Sequence, residues 1–235
     1  NTRRQRQMCI RDRDRAKPFL SMAPDQTVHL FTGSKIGFPG PRVGFLYSEA
    51  ELEIAAGEKV PLSELALVES SSELLFHSPG ALRGFEALLH ERSGDDFVER
   101  QSIWPLAEDK LVVYRENRRI LLEVLERELG AYKDYFSWTI PGGGFFTVFT
   151  FLNNGKGNMV RTDDAMIENM VMEHGLVVIP MYDFYPMDAR QRDPGAGMNQ
   201  LRLSFCFSES AGQQRRDDMR EAVEAFCQAA KALVG

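Results

Sequence analysis

The stretch Phe31-Thr32-Gly33-Ser34-Lys35-Ile36-Gly37-Phe38-Pro39-Gly40-Pro41-Arg42-Val43-Gly44 constrains this chain more than any other. Short apolar runs flank it: Val28 to Phe31 reads as a strand ending at the Thr32-Gly33-Ser34 turn, and Gly44 to Tyr47 as a second strand. Between them a lysine stands beside two hydroxyl side chains in a glycine-rich loop, with an arginine seven positions further on. Lys35 is thereby placed just past a strand end, where open α/β sheets hold ligands. A lysine amine can form a Schiff base with an aldehyde, while Ser, Thr and Arg suit a phosphate monoester.

Composition narrows the classes. At 235 residues the chain can make one large domain or two modest ones. Its 43% hydrophobic and 26% charged residues are ordinary for a globular protein. A net charge of −6 favours neither nucleic acid nor an anionic membrane as partner. Phe145 to Leu152, the longest apolar stretch, is too short to span a bilayer. Cys9, Cys206 and Cys227 are scattered and odd in number, which fits a reducing cytoplasm. His29, His77, His90 and His174 show no ligand spacing, so no metal is expected. Residues 1–15, rich in Arg and lacking the apolar segment of a secretory signal, read as a non-native or disordered leader. The string Met8-Cys9-Ile10-Arg11-Asp12-Arg13 resembles translated adapter sequence.

Further along, Glu49 to Glu69 reads as helical in part, and Ala81 to Glu91 as a helix. A long helix is predicted from about Glu108 to Leu129, with Leu111, Leu122, Leu125 and Leu129 toward the core and Gly130 as its stop. Pro141-Gly142-Gly143-Gly144 leads into Phe145 to Leu152, apolar on both faces and hence read as a buried strand. Thr162 or Asp163 caps a helix to Glu173 that Gly175 ends, and Leu176 to Pro180 reads as a strand. In a strand from Leu201 to Phe207 the residues Leu201, Leu203, Phe205 and Phe207 share one face, and Arg202, Ser204 and Cys206 the other. Arg215 to Val234 forms an amphipathic helix through Met219, Val223, Phe226, Ala230 and Leu233. This layout places a domain boundary near Pro105, giving domains at 16–104 and 105–235.

One aldehyde that carries a phosphate is pyridoxal phosphate, and the lysine segment reads as its binding site. From about Val28 to Gly235 the chain resembles the C-terminal half of fold-type I pyridoxal-phosphate enzymes, the class I/II aminotransferases. Three patterns in order carry the resemblance: Thr32-Gly33-Ser34-Lys35 with Pro39-Gly40-Pro41-Arg42-Val43-Gly44, then Pro141-Gly142-Gly143-Gly144-Phe145-Phe146, then Leu201-Arg202-Leu203-Ser204-Phe205. The fold it implies is α/β, a truncated remnant of the large cofactor-binding domain followed by an α+β C-terminal small domain. The Lys35 to Arg42 spacing is one residue shorter than in many members and, with Val177-Val178-Ile179-Pro180 and Phe184-Tyr185-Pro186, looks most like valine–pyruvate aminotransferases.

By this resemblance Lys35 holds pyridoxal phosphate as a Schiff base and shuttles the proton at the substrate Cα. A solvated loop lysine is the competing reading. Thr32, Ser34 and Arg42 bind the cofactor phosphate, or the two hydroxyls only bond their own turn. Arg202 holds the substrate carboxylate in a bidentate pair, or pairs with a carboxylate such as Glu209. Tyr182, Phe184 and Tyr185 line the substrate side-chain pocket, or are core aromatics. Ser78 and its neighbours reach a partner's site in a homodimeric parent, an expectation resting on fold analogy.

The implied activity moves an amino group between an α-amino acid and a 2-oxo acid. A C–S lyase or aminocyclopropanecarboxylate-synthase-like enzyme needs the same lysine and arginine, and a non-catalytic binding module could keep the fold. The ring-stacking aromatic and the aspartate to the pyridine nitrogen find no counterpart upstream of Lys35, so the expectation is a fragment of a cytoplasmic enzyme, inactive alone.

Overall fold

The computed structural model describes residues 19–35, 43–73, 78–157 and 159–234, the Lys35 side chain excepted. The leader at 1–15 and Arg42 lie outside the described residues. The chain divides into two compact units, Asn1–Ala107 and Glu108–Gly235.

In the first unit the apolar runs around the lysine loop form strands β1 (Val28–Thr32) and β2 (Gly44–Ser48). They pair antiparallel with Thr32 opposite Gly44, so the loop leaves and returns at one closed base. A second hairpin follows, β3 (Glu51–Ala55) with β4 (Glu58–Pro61), and then helix α1 (Leu62–Glu73). The helical expectation for Glu49 to Glu69 is therefore corrected up to Leu62. Glu51-Leu52-Glu53-Ile54 alternates with period two and Ala56-Gly57 is a turn, a strand signal that outweighs acidic composition. Helix α2 (Pro79–Leu88) starts on Ser78, whose hydroxyl accepts from the Ala81 amide. It stops short of Glu91 because β5 (His90–Ser93) turns back on β6 (Asp96–Glu99). The core here is small: Val43, Ala81 and Phe85 are buried with Leu88 against them, and the Phe45 ring lies 4.6 Å from that of Phe85.

Helix α3 (Trp104–Leu129) runs through the division, and its buried stripe is Asn117, Ile120, Leu121, Val124, Leu125 and Leu129. Leu111 and Leu122, expected in the core, are half-buried. The second unit's sheet has the strand order β7 (Phe136–Trp138), β8 (Phe146–Phe151), β10 (Gln200–Ser204), β9 (Ile179–Pro180), with antiparallel neighbours throughout. Thr147, Phe149, Phe151 and Leu201 face the core. There Phe149 meets Phe226 edge-on at 5.0 Å between ring centroids.

The other face of β8 carries Phe146, Val148 and Thr150, none of them buried. The expectation of a strand buried on both faces is thus corrected: among the described residues only the Thr147, Phe149 and Phe151 face is buried. Helix α4 (Asp164–His174) is capped by Asp163 rather than Thr162, the Asp163 side chain accepting from the Met166 amide, and it ends at Gly175 at φ 66°, where an L side chain would be strained. Leu176 to Pro180 pairs only at its last two residues, Ile179 opposite Arg202 and Pro180 opposite Leu201. The strand predicted to Phe207 ends at Ser204 because the Phe205 and Phe207 carbonyls are taken by the Asn117 side-chain amide, at 3.1 and 2.7 Å. After the short α5 (Met187–Arg192), α6 (Gly212–Ala232) closes the unit, burying Met219, Val223, Phe226 and Ala230 as the spacing predicts. Among the described residues no helix is long and apolar enough to cross a membrane.

Candidate active site

At the lysine end, β1 delivers its last residue, Thr32, directly into a 3-10 turn over Gly33–Lys35. The Gly33 amide donates to the Val43 carbonyl at 3.0 Å, which ties the turn to the returning strand. The Thr32 hydroxyl donates to the same carbonyl at 3.4 Å and accepts from the Ser34 amide at 3.2 Å. Local turn bonding is therefore realised at Thr32. A 3.4 Å contact is a weak hold, so the hydroxyl proton is free to turn to a stronger acceptor such as a phosphate oxygen. Gly44 faces the Phe31 carbonyl, and a Cβ there would stand 3.2 Å from that oxygen, which keeps the loop base narrow. Hydroxyl donors on a closed glycine-rich base, with an arginine and a lysine in the loop, match the chemistry of a phosphorylated aldehyde. In donor chemistry the residues fit pyridoxal phosphate.

The second cluster stands on the open face of the sheet. Gly144, at φ 88° and with open space where a Cβ would stand, turns the chain out of the Pro141 loop. The next carbonyl, of Phe145, takes the Phe205 amide at 3.1 Å. In the β8–β10 register Phe146 stands opposite Ser204 and Val148 opposite Arg202. Opposite residues share a face, so Arg202 emerges on the uncovered side with Phe146 as its diagonal neighbour. The Arg202 guanidinium carbon lies 4.9 Å from the centre of the Phe146 ring and 4.8 Å from that of Phe184. Its Nε is buried without a hydrogen-bond partner. Among the described residues no carboxylate, Glu209 included, forms an ion pair with it.

Phe184 is thereby brought to Arg202, whereas Tyr182 lines a separate cavity of about 230 Å³ with Arg161, Thr162 and Asp183. Arg190 covers the Tyr182 ring at 4.9 Å. The Tyr185 hydroxyl donates to Gln200 Oε1 at 2.8 Å, beside this cluster on β10. Ser78 acts as the cap of α2. An apolar cleft of about 350 Å³ also borders β10, between Leu121, Ile179, Met219 and Phe226, but Phe146 and Phe184 are not in its walls. Arg202 is itself among the residues lining this cleft, so the cleft adjoins the ring-flanked arginine.

Sequence reasoning missed Phe146 as a neighbour of Arg202, and the polar clamp behind the strand. Asn117, fully buried on α3, accepts from Arg215 of α6, and Arg215 also donates to Glu116. The Arg215 hydrogen bond holds the Glu116 carboxyl below its ordinary range, with the Arg215 and Arg216 charges adding to it. A signal existed: Arg215 occupies the apolar stripe of α6 one turn before Met219, and a charge in that place needs a buried partner.

No protein-family model matches the chain. It is 28% identical over 181 residues to the (S)-3,5-dihydroxyphenylglycine transaminase of Amycolatopsis orientalis, covering 76% of this chain and 35% of that protein. Among solved structures it is similar to the α-aminoadipate aminotransferase of Thermus thermophilus, complexed with N-(5′-phosphopyridoxyl)-L-leucine (TM-score 0.64, 20% identity, 94% of this chain and 46% of that one). It is also similar to the kynurenine aminotransferase of Pyrococcus horikoshii (TM-score 0.61, 20% identity, 90% of this chain and 42% of that one). The chain spans less than half the length of each of these proteins. Its architecture is accordingly part of the fold of fold-type I, pyridoxal-phosphate-dependent class I/II aminotransferases.

Proposed function

We propose that this chain carries the cofactor lysine and the carboxylate-binding arginine of an aminotransferase, corresponding to the C-terminal half of such an enzyme. The substrates are an α-amino acid and a 2-oxo acid. The observation that carries the reading is Arg202: a guanidinium on the open face of a sheet, flanked by rings, with a buried Nε and no carboxylate of its own among the described residues. A guanidinium with no carboxylate of its own has its charge available to a ligand carboxylate. Pyridoxal phosphate, when bound, supplies the electron sink that stabilises negative charge at the substrate Cα. The chain's own part is to hold and orient. Thr32, Ser34 and Arg42 would hold the phosphate and Lys35 the aldehyde end, with the Lys35 amine placed to carry the proton at the substrate Cα, and Arg202 would fix the substrate carboxylate. The proposed parent is a homodimer.

The test is to incubate the purified chain with pyridoxal phosphate, reduce it with borohydride and map the adduct by mass spectrometry. A pyridoxyl group at Lys35, lost in Lys35→Ala, is the expected result. Label spread evenly over surface lysines of a chain shown by circular dichroism to be folded would overturn it.

A further inference from the structure

The two rings beside Arg202 come from opposite sides of its strand. Phe146 begins β8, which pairs along one edge of β10, and Phe184 ends the 3-10 turn Tyr182–Phe184 just after β9, which pairs along the other. Both rings lie within 5 Å of the guanidinium carbon. Both are partly open to solvent, Phe146 at 37% and Phe184 at 52%, so neither is there to fill a core. A guanidinium has two flat faces, one side edge through Nε and one end edge through its two Nη atoms. Aromatic faces attract the flat faces. The Nε on the side edge is buried away from solvent.

We infer that Phe146 and Phe184 form a positioning clamp that leaves Arg202 one usable edge, so that it takes a carboxylate end-on through its two Nη atoms. This rests on the reading of Arg202 as a carboxylate anchor and adds to it the direction of approach. The clamp selects a ligand with a free, planar carboxylate that enters in the guanidinium plane. It also restricts the rotation of a long side chain whose freedom would otherwise weaken the pair. The rings act through Arg202.

The experiment is nuclear magnetic resonance of the arginine-labelled chain, following the Arg202 guanidinium nitrogens during titration with pyruvate. Methyl pyruvate, whose carboxylate is masked, serves as the control. Pyruvate is expected to move the Nη signals and leave Nε nearly still, and methyl pyruvate to move neither. Phe146→Leu and Phe184→Leu should each weaken the pyruvate response about fivefold, and together more than tenfold, from the loss of ring faces worth about 1 kcal/mol each. Phe146→Tyr and Phe184→Tyr, which keep a ring, should stay near wild type. Should a Leu variant melt below the assay temperature, Met at the same position replaces it, keeping apolar volume without a ring. A dominant shift at Nε, or Leu and Met variants that bind pyruvate as wild type does, would overturn the clamp and leave the carboxylate role standing. If pyruvate moves no Arg202 signal in the wild type, or Arg202→Lys binds it unchanged, the anchor reading falls and the clamp falls with it.

Discussion

Two antiparallel strand pairs built from similar residues meet different fates in this molecule. In the second unit β8 and β10 turn one apolar row into a core where Phe149, Phe151 and Leu201 are wholly buried. In the first unit β1 and β2 are as apolar, Val-His-Leu-Phe-Thr against Gly-Phe-Leu-Tyr-Ser, yet Leu30 is 75% exposed and Phe31, Phe45 and Leu46 stay open too. Near-continuous apolar strands are the mark of a sheet covered on both faces. The hairpin has the sequence of such a strand pair without that cover among the described residues of its unit. The apolar pattern of a strand therefore reports how many layers it is written for, and only packing shows how many it has.

The sharpest way to break this contrast is to remove the same side chain from each unit. Leu125→Ala empties a fully buried site on α3 and should lower stability by about 2–5 kcal/mol. Leu30→Ala removes an exposed side chain and should change it by less than about 0.5 kcal/mol. Urea unfolding monitored by circular dichroism checks both. Comparable losses would mean that the β1–β2 face is covered in solution.

A second, smaller effect tests the polar clamp that ties α3 to α6. Arg215→Met leaves the buried Asn117 oxygen without a donor and should cost about 2–3 kcal/mol at pH 7. The penalty should depend on pH with a definite sign. Glu116 is held below its ordinary value of 4.5 by the Arg215 hydrogen bond. Its contribution is thus complete above that value and is lost as pH falls through the lowered folded value. The gap between wild type and variant should narrow on acidification below about pH 4.5, without closing, because the Asn117 oxygen stays unpaired in the variant. A gap that stays constant down to about pH 2 would show that the Glu116 pairing adds nothing to stability.

Legibility followed the same divide. The second unit could be read because its signals are local and periodic: the α6 stripe, the Asp163 cap, the Gly175 stop and the alternation in β10. The β3–β4 hairpin was hidden behind its glutamates, because acidic composition drew attention from a period-two alternation. At the site, Arg202 could be singled out by type and order, and Phe184 as an aromatic nearby. That Phe146 flanks the guanidinium could not be read, because it depends on the β8–β10 register, which sets Ser204 opposite Phe146 and Arg202 opposite Val148. Residue types are local facts, whereas cross-strand neighbours follow from pairing between segments far apart in the chain.

A chemical probe sharpens the contrast from inside the second unit. Burial pushes the Cys227 thiol up to about 12. At about pH 8 the side chain should be both protonated and inaccessible, so its alkylation tracks opening of the core. Peptide mapping after brief treatment with iodoacetamide should show a rate on the order of a thousandfold below that in concentrated urea. A native rate near the unfolded one would remove the distinction between a packed unit and an open one.

The smallest expected effect compares two helix caps of the same kind. Asp163 caps α4, whose Met166 and Met170 lie in the large core, and Ser78 caps α2, which buries only Ala81 and Phe85. Each side chain accepts one amide, from Met166 at 3.2 Å and from Ala81 at 3.3 Å, so Asp163→Ala and Ser78→Ala should each cost about 1 kcal/mol locally. Where that loss shows depends on what each helix is packed into. If the second unit unfolds as one body, Asp163→Ala lowers protection against hydrogen exchange throughout α3, β8 and α6. Ser78→Ala should lower it in α2 alone, because a small core cannot spread the loss. Equal spreading from both caps would mean that the first unit is as cooperative as the second, and that its exposed apolar strands are not a sign of weaker packing.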